Sequence, residues 1–160
     1  MALQSATADQ SPASGYTIQE DPFVLQATAA SFSKGDVVCL HINTATLTWD
    51  TFTTPAAGDL TGGIFGVCLE DIAQNAFGRV LVRGKVNCFT KATAGTVANG
   101  TLMTVRTTKD LEADRATYGL NQHKFVGRAL FTGAVGSTRT LRDVMFDGLT
   151  GWGGIFGGAG

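Results

Sequence analysis

The sequence is short of charge, of proline and of the side chains that cluster in reactive sites. Only 16% of its 160 residues are charged, 12 basic against 13 acidic, for a net charge of −1. A soluble domain usually carries about 25%. The balance argues against binding driven by nucleic-acid phosphates, which calls for a basic stripe, and against polybasic attachment to a membrane. There are 3 cysteines, Cys39, Cys68 and Cys88, each in an apolar run and with no CxxC among them. Buried reduced thiols are the expectation, rather than a disulfide framework or a zinc site, and this suits synthesis in a reducing compartment. No stretch approaches the ~18 apolar residues of a membrane span. Met1 to Gly15 lacks the basic and apolar regions of a secretory signal.

What is abundant is glycine, 21 residues against a usual share of about 7%, together with Thr, Ala and Val. Short β-branched runs bounded by glycine favour strands. The stretch Gly62 to Phe89 reads as strand, short turn and strand. Ile64 to Leu69 is the first run, and Val80 to Val82 continues past Gly84 into Val86 to Phe89 as the second. Strands are also expected at Leu25–Phe32, Val37–Ile42, Thr101–Val105, Lys124–Phe131 and Thr138–Phe146. Asn43 to Thr54 alternates Thr with Leu47, Trp49 and Phe52, as a half-exposed strand or hairpin would. Arg106 to Gln122 is the most polar part and reads as a surface loop. Thr132 to Ser137 reads as a Gly-rich turn.

The two halves echo each other. Gly35-Asp36-Val37-Val38 corresponds to Gly100-Thr101-Leu102-Met103, an offset of 65 (100 − 35). Phe65 to Leu69 corresponds to Val126 to Leu130, an offset of 61 (127 − 66). Val80 to Gly84 corresponds to Val144 to Gly148, an offset of 64 (148 − 84). Two such units closing on each other make an all-β protein, a small β-sandwich or barrel with a pseudo-twofold internal repeat. The expected organisation is an N-terminal arm over residues 1–22, a β-rich domain over 23–147 and a Gly-rich tail over 148–160.

Chemistry is hard to place. Cys39 and His41 share a strand face, but no third group orients them as a nucleophile and base. Glu70-Asp71 sits at a strand end and reads as a solvated turn. Gly62-Gly63 is followed by no GK[ST], so it is no phosphate loop. No catalytic residue, cofactor or metal is expected. The candidates for contact are apolar: Trp152, Ile155 and Phe156 on the glycine tail, Trp49 and Phe52 in the hairpin, and Tyr16 beside the arm. Large aromatics on a flexible string anchor at interfaces.

The phrases KGDVV, GIFGVCLEDIAQNAFGRVLVRGKVNCF, NGTLMTV and FVGRAL together resemble tailed-phage capsid decoration proteins, also called cement or head-stabilising proteins. The matching positions are Gly66 to Leu69, Ala76 to Gly78 and Val80 to Val86, within a likeness running from Lys34 to Gly148. The Cys-rich strands, the Trp49 hairpin and the Gly-Trp-Gly-Gly tail depart from that pattern. The resemblance implies a non-enzymatic homo-oligomer, often a trimer. It would be made in the host cytoplasm and bind the major capsid protein on the outer surface of a virion head. A tail or baseplate β-module and a carbohydrate-binding β-domain are the competing expectations.

Overall fold

Alternating apolar residues between glycine-marked turns give twelve strands among the described residues of the computed structural model, which are 22–60, 62–91, 96–113 and 125–149. The first five are β1 (Phe23–Ala27), β2 (Val37–Asn43), β3 (Thr48–Thr53), β4 (Ile64–Cys68) and β5 (Phe77–Leu81). They close a barrel in the order β1-β3-β2-β4-β5. Then come β6 (Arg83–Thr90), β7 (Thr96–Val97), β8 (Leu102–Val105), β9 (Leu111–Ala113), β10 (Phe125–Ala129), β11 (Gly133–Ala134) and β12 (Thr140–Asp147). Of these, β6-β9-β8-β10-β12 close a second barrel, and β7 pairs with β11 as a short ribbon.

The two barrels have one topology. In each, the strands follow the order first, third, second, fourth, fifth, and only the first–third contact is parallel. The expected repeat is therefore present, and its register is kept. Val37 opposite Val67 and Val38 opposite Gly66 recur as Leu102 opposite Arg128 and Met103 opposite Gly127. Cys68 opposite Val80 recurs as Ala129 opposite Val144. The lone bridge Phe32–Ile72 recurs as the pair Val97–Gly133. Gly35 and Gly100 have φ of +90° and +88°. Each is the third residue of a turn closed by the next residue's N–H, Asp36 to the Ser33 carbonyl at 3.0 Å and Thr101 to the Ala98 carbonyl at 3.1 Å. A positive φ at that position of the turn selects glycine.

The all-β fold with a pseudo-twofold repeat is as expected, each half closing into a barrel of its own, and three finer expectations are corrected. Each ring closes locally because the third strand, joined to the second in a hairpin, also takes the first in parallel. The run from Val80 to Phe89 is two strands in different barrels, divided at Val82. Leu111–Ala113, expected as loop, is strand β9, buried along its length although Glu112 is charged. Gly133–Ala134, expected as turn, pairs with Thr96–Val97.

The interior of the first barrel holds Leu25, Ala27, Val38, Leu40, Phe52, Cys68 and Val80. Full burial of such side chains contributes about 1.5–3 kcal/mol each for the larger ones. Gly66 and Gly127 face the two interiors at matching positions. A Cβ on Gly66 would collide with Val80 and lie 3.0 Å from Leu40; one on Gly127 would lie 2.8 Å from Leu111 and 3.0 Å from Val144. Rings this narrow close only where one strand carries no side chain inward. The second core (Cys88, Met103, Val105, Leu111, Val144, Phe146) is continuous with the outer face of β2, β4 and β5, which supplies Val37, Cys39, Phe65, Val67 and Leu81.

Candidate interaction surface

That continuity comes from a thinly paired seam of the second barrel. Among the described residues, strands β6 and β9 share one paired position, Thr90 opposite Leu111. Beside it the first barrel inserts its Gly35 turn. Phe89 N–H donates to the Gly35 carbonyl at 2.9 Å, and Val37 N–H donates to the Lys109 carbonyl at 3.0 Å. Gly35 approaches closely: a Cβ there would strike the Leu141 side chain and lie 3.4 Å from the Asn87 carbonyl. The first barrel zips the matching seam itself, at Gln26–Thr51 and Ala27–Phe52, and Trp49 packs against that barrel's core.

Charge is concentrated at this junction. Asp36 is 1% exposed; it pairs with Arg139 and, at 3.3 Å, with Lys109 Nζ. Asp110 is fully buried; its Oδ1 accepts from Thr108 Oγ1 at 3.0 Å, and its Oδ2 lies 3.2 Å from Arg139 Nε as an ion pair without an aligned hydrogen bond. Burial raises the Asp110 carboxyl above the usual range, opposed by the Thr108 hydrogen bond and by Arg139, Arg106 and Lys91. Glu112 is held by Arg106 Nη1 at 2.9 Å. The Arg139 guanidinium also stacks 4.1 Å over the Phe89 ring.

The sequence-predicted contact residues fall in different places. Phe52 is fully buried in the first core, which corrects its assignment to a surface. A register shift lies between them, so Trp49, opposite Ile42, and Phe52, opposite Leu40, face the same side, and Trp49 packs at the margin of the core that buries Phe52. Trp49 is half-buried. Tyr16, Trp152, Ile155 and Phe156 lie outside the described residues. Exposed apolar side chains that the sequence reading missed are Val24 at 65%, Phe77 at 67%, Ile42 at 49% and Leu47 at 82%. Val24 and Phe77 neighbour each other on the β1–β5 pair; Ile42 and Leu47 mark the β2–β3 hairpin. The only signal for Val24 and Phe77 was their strand parity, legible once a strand register is known.

The outer face of β8, β10 and β12 repeats the face that the first barrel buries. Leu102, Thr104, Arg128 and Met145 stand where Val37, Cys39, Val67 and Leu81 stand in the first barrel. Phe125, opposite Thr104, takes the place of Phe65, opposite Cys39. Leu102, Phe125 and Met145 are half-buried and Arg128 is exposed. The Gly100 turn beside this face has open space where the Gly35 turn meets the second barrel.

The reactive pairings considered from sequence have structural partners. His41 Nε2 lies 2.7 Å from Thr53 Oγ1. Burial, with Asp59 nearby, pushes the Cys39 thiol up to about 12, the opposite of the change that activates a nucleophile. Glu70 accepts from Arg79 N–H at 2.9 Å and is lowered by that bond and by the Arg79 side chain. Asp71 caps the Gly35 turn, accepting from Lys34 N–H at 2.8 Å. Among the described residues no three His, Cys, Asp or Glu side chains are grouped to hold a metal ion. Cys68 and Cys88 are also raised, mainly by burial. The native protein at pH 8 is therefore expected to resist a thiol-specific colorimetric reagent, with all three thiols reacting on denaturation. Fast labelling of any one in the native state contradicts the burial described.

No family model matches the chain, and no curated protein sequence matches it.

Proposed function

We propose that this chain is a structural virion protein that binds the outside of a tailed-phage head and cements neighbouring major capsid protein subunits. It acts without turnover, as a homo-oligomer with a trimer expected. The observation that carries this reading is the amount of large apolar surface left outside two closed cores: Val24, Ile42, Leu47, Phe77, Leu130 and Leu141 are all at least 38% exposed. Scattered apolar residues are ordinary, but here four of the six, Val24, Phe77, Ile42 and Leu47, group on one strand pair and one hairpin, as interaction surfaces do. The resemblance adds direction, because its quoted phrases are the segments that form the repeated frame. Cementing joins several weak contacts into one strong one, since the second contact is intramolecular once the first is made. The arm and the aromatic tail extend the reach of that grip.

The test is co-sedimentation with DNA-filled heads stripped of this protein, read beside heat-induced DNA loss. Bound protein is expected to raise the temperature at which DNA escapes. Deleting Gly151 to Gly160 is expected to weaken binding while the β-sheet circular dichroism is unchanged. Heads that bind none of the intact chain overturn the reading. Imaging of particles that puts the protein on the tail replaces it with the baseplate alternative.

A further inference from the structure

We infer that the outer face of β8, β10 and β12 is the surface that grips the shell subunit, and that it takes an open sheet seam, a strand edge with backbone N–H and C=O groups over an apolar interior. The inference rests on the capsid-binding reading and adds the surface to it.

The argument comes from the repeat. Within the chain, this face has a counterpart whose partner is visible. On the first barrel, Val37, Cys39, Phe65, Val67 and Leu81 are buried against the interior of the second barrel, and the Gly35 turn bonds into the β6–β9 seam. The second barrel presents the corresponding face in the same register apart from a shift between Phe125 and Gly127, with Thr104 buried within it. It also has the same turn, Gly100 at φ +88°. Leu102, Phe125 and Met145 keep the face apolar. Leu102 N–H stands where Val37 N–H bonds to the neighbouring barrel, and Gly100 C=O, which accepts from Arg128 Nη1 at 3.5 Å, stands where Gly35 C=O does. A surface that already works once as a plug in this fold is thus offered a second time, with open space at its turn.

The occupant follows from which seams are taken. The β6–β9 seam is filled by the first barrel, and the β1–β3 seam is zipped by its own strands. Among the described residues a second copy therefore has no seam to offer, and the occupant we infer is a different protein that supplies one. Arg128, whose Nη1 donates to the Gly100 carbonyl at 3.5 Å, replaces Val67 at the centre of the face, so the outer contact is less apolar than the internal one. The charged latch around Asp36 has no equivalent here, because Thr101 stands in its place. The outer contact is accordingly more easily reversed than the inner one.

The experiment uses the full chain and stripped DNA-filled heads. Leu102→Lys and Met145→Lys are expected to weaken binding about tenfold or more, as loss of a central apolar contact does. Arg128→Glu, at an exposed position, tests the same face without threatening the fold. Phe77→Lys, on the β1–β5 pair that the capsid reading also draws on, is expected to weaken binding less than the β8–β10–β12 variants do. Melting temperature and native mass are read for every variant. If the parent binds heads and the β8–β10–β12 variants bind equally well, this inference is overturned and the capsid reading stands. If Phe77→Lys alone loses binding, the contact belongs to the β1–β5 face, and the inference is again overturned. An oligomer whose native mass falls with Met145→Lys makes the face a self-contact, which also overturns it. So does a loss seen only when Gly151 to Gly160 are present, which assigns the face to the chain's own tail. A parent that binds no heads removes the capsid reading itself, and this inference with it.

Discussion

Replacing Arg139 with methionine is expected to lower the stability of the protein by about 3–5 kcal/mol, the cost of breaking a buried ion pair from one side. Arg139 meets two carboxylates that are almost wholly out of water, Asp36 at 1% exposure and Asp110 at 0%. It also donates to the Lys109 carbonyl at 2.9 Å. Methionine keeps some of the contact with Phe89 but leaves both acids short of a partner. Urea midpoints at pH 7 read the loss. Adding Asp36→Asn to the same chain is expected to return part of it, because one orphaned charge is then gone. Such coupling is what a double-mutant cycle isolates.

The pH dependence has a definite sign. The folded-state value of Asp110 lies above its unfolded value because burial penalises the anion. The folded protein therefore binds a proton that the unfolded chain has already released. Across the window between the ordinary carboxylate value and the raised one, stability falls as pH rises. Removing Arg139 takes away a cation that opposes this shift, so the window widens upward. The gap between parent and Arg139→Met is expected to shrink on acidification from pH 7 through that window. A gap of under about 1 kcal/mol, or one that does not change with pH, means that the junction does not depend on this ion pair.

These charges belong to the junction alone. The repeat counterpart of Asp36 is Thr101, and that of Arg139 is Asn75, at the same offsets that relate the glycines. Buried ions are weak stabilisers compared with apolar packing, but they fix orientation. Apolar faces slide over one another; Asp36 seated between Lys109 and Arg139 sets how the first barrel sits on the second.

Much of this frame was legible in the sequence because it is written in glycine. Gly35 and Gly100 need positive φ, Gly66 and Gly127 need to be small, and both requirements survive in single residues at fixed spacing. The offsets of 65, 61 and 64 seen in the sequence are those of the strand registers. What was not legible depends on partners far away in the chain. Nothing in VLVRGKV announces that the strand changes barrel at Val82, since both pieces are equally apolar. Glu112 disguised β9 as a loop, because its carboxylate is satisfied by Arg106 from the preceding hairpin arm. The parallel pairing of β9 with β6 is also non-local. Phe52 looked like a surface aromatic beside Trp49 until the register turned it inward. For the contact surface, the sequence offered aromatic residues at the ends of the chain, whereas the outward Val24, Phe77, Leu102 and Met145 emerge only when strand parity and barrel closure are known.

Gly148→Ala is expected to cost about 3 kcal/mol, the upper part of the range for forcing a methyl group into packed structure. For a chain of this length that corresponds to a fall of roughly 10 °C in melting temperature. Gly148 sits where the last strand of the second barrel passes the first. Its N–H donates to the Val82 carbonyl at 2.9 Å, and its carbonyl accepts from Phe65 N–H at 3.2 Å. A Cβ there would overlap the Phe65 carbonyl oxygen and lie 2.6 Å from its carbonyl carbon, with the Phe146 ring at 2.9 Å. These first obstacles are backbone, and backbone yields only if β4 shifts. That strand is held by β2 and β5, so the barrels themselves must move apart. Gly84, the repeat counterpart, is needed for a different reason, since its φ is +136°. One sequence position in the repeat thus serves a turn of the chain in one half and a close passage in the other. Gly133→Ala and Gly136→Ala, where an added Cβ meets nothing within 4 Å, are expected to stay within about 0.5 kcal/mol of the parent. Thermal melts of the three variants beside the parent decide it. If Gly148→Ala melts with those two controls, the barrels are not locked at this crossing, and the junction has the slack that a hinge requires.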